Sequence, residues 1–337
     1  MTPDPPDDGS ERPSRVVVVG ASAGGVEALI AFARSLPADI DAAILVVLHI
    51  SALGTSVLPS ILDRASPLPV YGAVDGARLR KGEIYVAPPD HHMLLEDSRI
   101  ALAQTPRENG HRPAIDPSMR SAAAAFGPAV TGVVLSGTRD DGTAGLLAIK
   151  TAGGTAVVQD PKDAVYSAMP QSAIDHVEVD AVLPVAQIGA WLRDTPARHD
   201  SETSPQPMAT ITNSGIGEPA GEGTRYTCPD CGGVLFADEE GTLPRFGCSV
   251  GHVFSIESLE NAQAAVLESA LWAAVRSLED RADLLQRIAA RYKSDELRGR
   301  HLRDEARFAL ERAETIRATI EQPQGSGGPP QSAEPAA

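Results

Sequence analysis

Ser22, His49 and Asp141 each stand beyond an apolar run of strand length, at residues 16–19, 43–48 and 131–135. In open α/β sheets the carboxyl ends of parallel strands form the ligand edge. Three residues distant in the chain can meet there as nucleophile, general base and orienting carboxylate of a serine hydrolase. Gly20-Ala21-Ser22-Ala23-Gly24 fits the G-x-S-x-G pattern and lies between a predicted strand and a helix expected from Gly25 or Val26. Small neighbours at such a turn push the serine hydroxyl out of the sheet edge.

Each residue also has a plainer reading. The helix start after Ser22 suits a phosphate as well as an oxyanion, although the segment is neither G-x-G-x-x-G nor G-x-x-x-x-G-K-[ST]. Ser22 can serve as a mere cap in a glycine-rich turn, His49 as a structural histidine, and Asp141 as a cap for the next helix. Their equivalent positions at three strand ends favour chemistry. His91, His92, His111, His176, His199 and His301 lack that placement and are expected at surface, turn or helix positions.

A second constellation is Cys228-x2-Cys231-x16-Cys248-x3-His252, which holds every cysteine of the chain. Two close pairs separated by a loop are what a tetrahedral zinc site needs. A reducing compartment favours metal over disulfide. Zinc here is expected to be structural, since four protein ligands leave no open position, and no cofactor is expected for catalysis. The rivals are a redox-active Cys228/Cys231 pair, disfavoured without a thioredoxin-like βαβ unit around it, and a metal-free remnant.

The elements that must position these groups follow from hydrophobic patterning. From 15 to 194, strand-length apolar runs alternate with helix-like stretches, which predicts βαβ units and a doubly wound, mostly parallel α/β sheet. Asp116-Pro117 reads as a helix N-cap and first residue, Gly153-Gly154 as the stop of a helix begun near Thr143. A hairpin is expected between residues 83–87 and 92–95, around Pro88-Pro89-Asp90. Residues 1–14, 195–224 and 322–337 are rich in Pro, Gly, Ser or acidic residues and are expected to be a disordered N-terminus, linker and tail. Between linker and tail come the Cys/His segment at 225–254 and a helical hairpin at 255–321, broken near Lys293-Ser294-Asp295. Leu259, Ala262, Val266, Leu267, Ala270, Leu271, Ala274, Val275 and Leu278 form one apolar stripe, either packed within the hairpin or offered for docking or homodimerisation.

The chain of 337 residues carries 29 Lys and Arg against 45 Asp and Glu, a formal charge of -16. That balance argues against general affinity for nucleic acid or anionic lipid. No stretch approaches the ~20 apolar residues of a membrane span, and the start lacks the features of a secretory signal. A soluble cytoplasmic protein is expected.

Gly20-Ala-Ser-Ala-Gly-Gly25, the run ending in His49, Val86-Ala87-Pro88-Pro89-Asp90, His111-Arg112-Pro113-Ala114-Ile115-Asp116, the 137–142 loop and Met169-Pro170-x-x-Ala173-Ile174 together resemble the catalytic domain of CheB-type chemotaxis protein-glutamate methylesterases. The resemblance covers about 15–192. It implies hydrolysis of glutamate γ-methyl esters on a chemoreceptor-like protein, with Ser22 as nucleophile, His49 as base and Asp141, not Asp140, as the orienting carboxylate. Ala23 stands where members usually have Thr, and Thr138-Arg139 where they have Met-Gly. Many members also carry a receiver domain ahead of the catalytic one, so control by phosphorylation in cis is not expected here. The alternative is a non-catalytic chemosensory scaffold that binds partners through its zinc and helical region.

Overall fold

The computed structural model describes residues 13–196, 221–292 and 296–321. Most of the segments expected to be disordered, and the break expected at 293–295, lie outside them. The chain divides into two compact units, Met1–Glu260 and Asn261–Ala337.

In the first unit the strands are β1 (Val16–Ala21), β2 (Ala43–Leu48), β3 (Val70–Gly72), β4 (Ile84–Val86), β5 (His92–Glu96), β6 (Arg99–Ala103), β7 (Val130–Val134), β8 (Thr155–Gln159) and β9 (Ala181–Leu183). The helices between them are α1 (Gly25–Ser35), α2 (Leu58–Asp63), α3 (Ile115–Phe126), α4 (Thr143–Thr151), α5 (Ala168–His176) and α6 (Val185–Asp194). Seven strands form one sheet in the order β3-β4-β2-β1-β7-β8-β9, and every adjacent pair in it is parallel. A sheet covered on both faces needs apolar side chains on both. Val16 and Val18 accordingly pack with Ile115, Met119 and Leu146 on one side, while Val17 and Val19 pack with Leu29, Phe32 and Ile188 on the other.

Strand order reverses between β1 and β7, so a crevice opens at the carboxyl ends of these central strands. Helix α3 crosses β1 closely. A Cβ on Gly20 would sit 2.4 Å from Ile115 Cγ2, so only glycine fits there.

The expected hairpin around Pro88-Pro89-Asp90 does not form. β4 enters the parallel sheet between β2 and β3, and β5 pairs instead with β6. The turn lies at Asp97-Ser98, where Asp97 takes φ 54, a left-handed conformation that Asp tolerates in tight hairpins. Two consecutive prolines offer no amide to a ladder, so they end β4 rather than join two paired strands. Asp116 is likewise not a cap. Helix α3 starts at Ile115 with Ala114 in the cap position, and the Asp116 carboxylate is buried.

A four-stranded antiparallel ribbon follows, made of β10 (Glu222–Thr227), β11 (Val234–Glu240), β12 (Leu243–Cys248) and β13 (Val253–Ser255). β10 begins inside the stretch expected as linker, because pairing with β11 supplies partners that its composition does not reveal.

Helices α7 (Ile256–Ala289) and α8 (Glu296–Glu321) account for the described part of the second unit, which α7 enters after its first turn. There Ala282 of α7 packs against Ala306 and Ala309 of α8, with Leu278 and Leu285 alongside. Of the expected stripe, Val275 is buried whereas Val266 and Leu267 are exposed.

Candidate active site

Three strand ends bring Ser22, His49 and Asp141 together. The turn after β1 is held by its backbone: the Ser22 amide donates to Ser136 O (2.9 Å) and Gly25 N donates to Ser22 O (2.9 Å). Gly24, at φ 67, supplies the left-handed residue of this turn, and its Cβ position lies 2.9 Å from Ser136 Oγ. The Ser136 hydroxyl donates to Ala23 O (2.9 Å). His49 directly follows β2, and its amide donates to Ala21 O (3.2 Å). Its Nδ1 lies 3.0 Å from Ser22 Oγ, and its Nε2 lies 2.6 Å from Asp141 Oδ2. Hydroxyl, imidazole and carboxylate thus form one continuous line at the carboxyl edge of the sheet, with Nδ1 toward the serine.

Asp141 sits in the loop between β7 and α4 and is 2 % exposed. Its Oδ2 also accepts the Ile115 amide (2.7 Å), and its Oδ1 accepts the Asp116 amide (3.2 Å) and Asn109 Nδ2 (3.1 Å). Burial alone would raise this carboxyl. The hydrogen bond and charge of His49, with the Ile115 amide, overcome it and hold Asp141 well below the ordinary range. Asp116 goes the other way. Burial first, then the Asp141 charge, push it well above the ordinary value, although its Oδ1 accepts the Gly142 and Gly145 amides (2.9 and 2.7 Å). Asp140, one residue before Asp141, faces elsewhere. Its Oδ1 accepts the Ser258 hydroxyl (3.0 Å), and burial raises its carboxyl.

On the open side of Ser22 lies a cleft of about 640 Å³, lined by Ala23, His49, Ile50, Leu53, Arg107 and His111 among others. His111 follows the Asn109-Gly110 turn, within the positions expected for it, but its part in the site has no counterpart in the sequence expectation. Its ring stacks on that of His49 with centroids 3.7 Å apart and planes within 11°. Burial, then the neighbouring His49, lower its pKa to about 4, so near neutral pH the stack places no second positive charge against the imidazole. His92 is buried rather than at a surface or turn, on β5. Arg139 takes φ 66, a left-handed conformation that favours glycine.

Cys228, Cys231, Cys248 and His252 also converge. Their ligand atoms all lie within 4.8 Å of one another. Cys231 Sγ is 3.7 Å from Cys248 Sγ, and His252 Nδ1 is 3.8 Å and 3.5 Å from the sulfurs of Cys228 and Cys248. Tetrahedral zinc with ordinary bond lengths requires S···S and S···N edges of about 3.8 and 3.6 Å. This Cys3His set can hold a metal ion.

A wholly parallel, doubly wound sheet with a serine, a histidine and an aspartate in hydrogen-bonded sequence at its switch point has the form of an α/β serine hydrolase. Comparison with known proteins narrows the class. The family model for CheB methylesterase matches residues 17–192, and the chain belongs to that family. A protein-glutamate methylesterase/protein-glutamine glutaminase of Paramagnetospirillum magneticum is 35% identical over 202 residues, covering 58% of this chain and 51% of that protein. A putative member from Leptospira interrogans is 36% identical over 173 residues, covering 51% of this chain and 90% of that protein. The chain spans about half the length of most of the curated relatives it matches. The crystal structure of the Thermotoga maritima CheB methylesterase catalytic domain superposes with a TM-score of 0.51 at 33% identity, covering 53% of this chain and 97% of that one.

Proposed function

We propose that the chain is a protein-glutamate methylesterase, acting in the cytoplasm on methylated chemoreceptor-like proteins in chemotaxis or a related chemosensory pathway. The unbroken Ser22–His49–Asp141 hydrogen-bond line supports this reading most directly. His49 Nδ1 accepts the Ser22 proton as Oγ attacks the γ-ester carbonyl. Asp141 holds the Nε2 proton and stabilises the imidazolium that forms. The new Nδ1 proton then passes to the departing methoxide, giving methanol and an acyl-enzyme. Water activated by the same nitrogen cleaves that intermediate to a glutamate carboxylate and regenerates Ser22. Because the Ser22 amide is bonded to Ser136 O, the oxyanion donors are sought at Ala23 and in the Thr138 segment. The same steps with a carboxamide release ammonia, which agrees with the glutaminase half of the relatives' names.

Methanol release from N-acetylglutamate γ-methyl ester, and from methylated receptor co-purified with the chain, tests this assignment. No release above the uncatalysed rate from either substrate would leave the scaffold reading in its place.

The Cys3His cluster supports structural zinc. Four protein ligands complete a tetrahedron, so the ion would pin the ribbon turns and take no part in the ester chemistry. Purified full-length chain is expected to carry close to one zinc per chain by elemental analysis, and chelation is expected to lower its thermal midpoint. Metal-free protein whose midpoint does not respond to chelator would remove zinc from the account. Among the described residues no helix is long and apolar enough to cross a membrane.

A further inference from the structure

The ribbon and the His49–Asp141 pair share one side chain. Asn109 occupies a tight turn, with the Glu108 amide donating to His111 O (3.2 Å) and the His111 amide to Glu108 O (2.9 Å). Asn109 and Gly110 both have positive φ, 54 and 78, the Asn-Gly signature of a type I′ turn. Asn109 is 3 % exposed. Its backbone amide donates to Val253 O of β13 (2.8 Å), and its side-chain Oδ1 accepts the Ser255 amide of β13 (2.9 Å). The two hydrogens of its Nδ2 go to Asp116 Oδ2 (3.1 Å) and Asp141 Oδ1 (3.1 Å). All polar atoms of the side chain are therefore used, half toward the ribbon and half toward the carboxylates.

An amide can turn over about its last bond, exchanging donor for acceptor. The Ser255 N–H accepts only one answer: it requires oxygen on the ribbon side, which leaves nitrogen facing Asp141. Were the ribbon withdrawn, the Ser255 donor would be lost and only the carboxyl groups would set the orientation of the amide. β13 is itself tied to the Cys/His cluster. His252 immediately precedes Val253, and the Cys248 amide donates to His252 O (3.0 Å).

We propose that Asn109 is a positioning residue through which the ribbon, ordered by its Cys3His cluster, holds the Asp141 carboxylate in register with His49. The inference rests on the esterase reading for its kinetic consequences. The ribbon is then part of the support of the site, working in cis.

The test uses the full-length, metal-replete chain with p-nitrophenyl acetate as probe, together with the low-field NMR resonance of the His49 Nε2–H. Asn109→Gly keeps the turn conformation and removes the side chain, whereas Asn109→Asp keeps the oxygen for Ser255 and loses the donor to Asp141. For either variant that melts cooperatively, kcat is expected to fall roughly 10- to 100-fold with KM within about twofold, and the low-field resonance to shift or vanish. Cys231→Ser, which removes the exposed cysteine of the cluster, is expected to lower kcat in the parent but add nothing to Asn109→Gly, since groups acting through one link are non-additive. Parent-like kcat and an unshifted resonance in Asn109→Gly would overturn the positioning role. Losses that multiply in the double variant, or no loss from Cys231→Ser alone, would overturn the link to the ribbon. If the parent does not turn over the probe, the esterase reading has failed there, and the resonance in Asn109→Gly and Cys231→Ser decides the structural link alone.

Discussion

Replacing Ser22 with alanine should lower methanol release by roughly 10⁴-fold or more, because loss of the nucleophile disables the attacking group and its base as one unit. The fold should not notice. Ser22 is fixed by backbone contacts, from its amide to Ser136 O and from Gly25 N to its carbonyl, and alanine keeps both. Its hydroxyl meets His49 Nδ1 at 3.0 Å in a half-buried position, so a stability change within about 0.5 kcal/mol is expected. Rate and thermal midpoint measured on one preparation separate chemistry from folding. Parent-level methanol release by a homogeneous Ser22→Ala sample would exclude Ser22 as nucleophile, and a large fall in midpoint would show that the turn depends on the hydroxyl.

The parts of this molecule legible in its sequence are those where one local pattern has one physical cause. β1, β2 and β7 lie at the centre of a parallel sheet, and burial on both faces demands the apolar runs by which they were predicted, unbroken in β2 and interrupted by Thr131 and Gly132 in β7. The Cys/His spacing is legible for a similar reason, since each pair needs only a short turn to face a common point. Pro88-Pro89-Asp90 misled because turn chemistry reports that the chain bends, not which strand pairs next; the partner of β5 was on its far side. Asp116 misled differently. An acid before proline at a helix start looks like a cap, but here the carboxylate reaches across to the amides of Gly142 and Gly145, contacts that exist only after α3 and α4 pack. His111 has no local signal, because its stack on His49 arises from residues 62 positions apart meeting at the sheet edge. Asn109-Gly110 did carry one, a dipeptide diagnostic of the turn that presents His111 and binds β13.

Asp141→Asn should reduce turnover by about 10⁴-fold, while Asp140→Asn should stay within about threefold of the parent. The difference follows from what each carboxylate faces. Asp141 Oδ2 lies 2.6 Å from His49 Nε2 and accepts its N–H, and an amide nitrogen at that place turns an acceptor into a donor. The imidazole then keeps its proton on Nδ1 and presents a donor to Ser22, so it cannot remove the serine proton. Asp140 Oδ1 accepts a hydrogen bond from the Ser258 hydroxyl, a contact the amide oxygen of asparagine preserves. Stability supplies a second readout on the same variant. The folded pKa of Asp141 lies below its unfolded value of about 3.9, so its contribution is complete above about pH 4 and is lost as pH falls through the folded pKa. Asp116 opposes this, being raised by burial and by the Asp141 charge; removing that charge lets Asp116 relax toward its ordinary value and offsets part of the loss. Urea titrations should therefore show Asp141→Asn less stable than the parent at pH 7, with the gap narrowing at pH 3. A reversed kinetic ranking would transfer the orienting role to Asp140, and a gap that widened in acid would mean that Asp141 folds protonated, leaving His49 without an anionic partner.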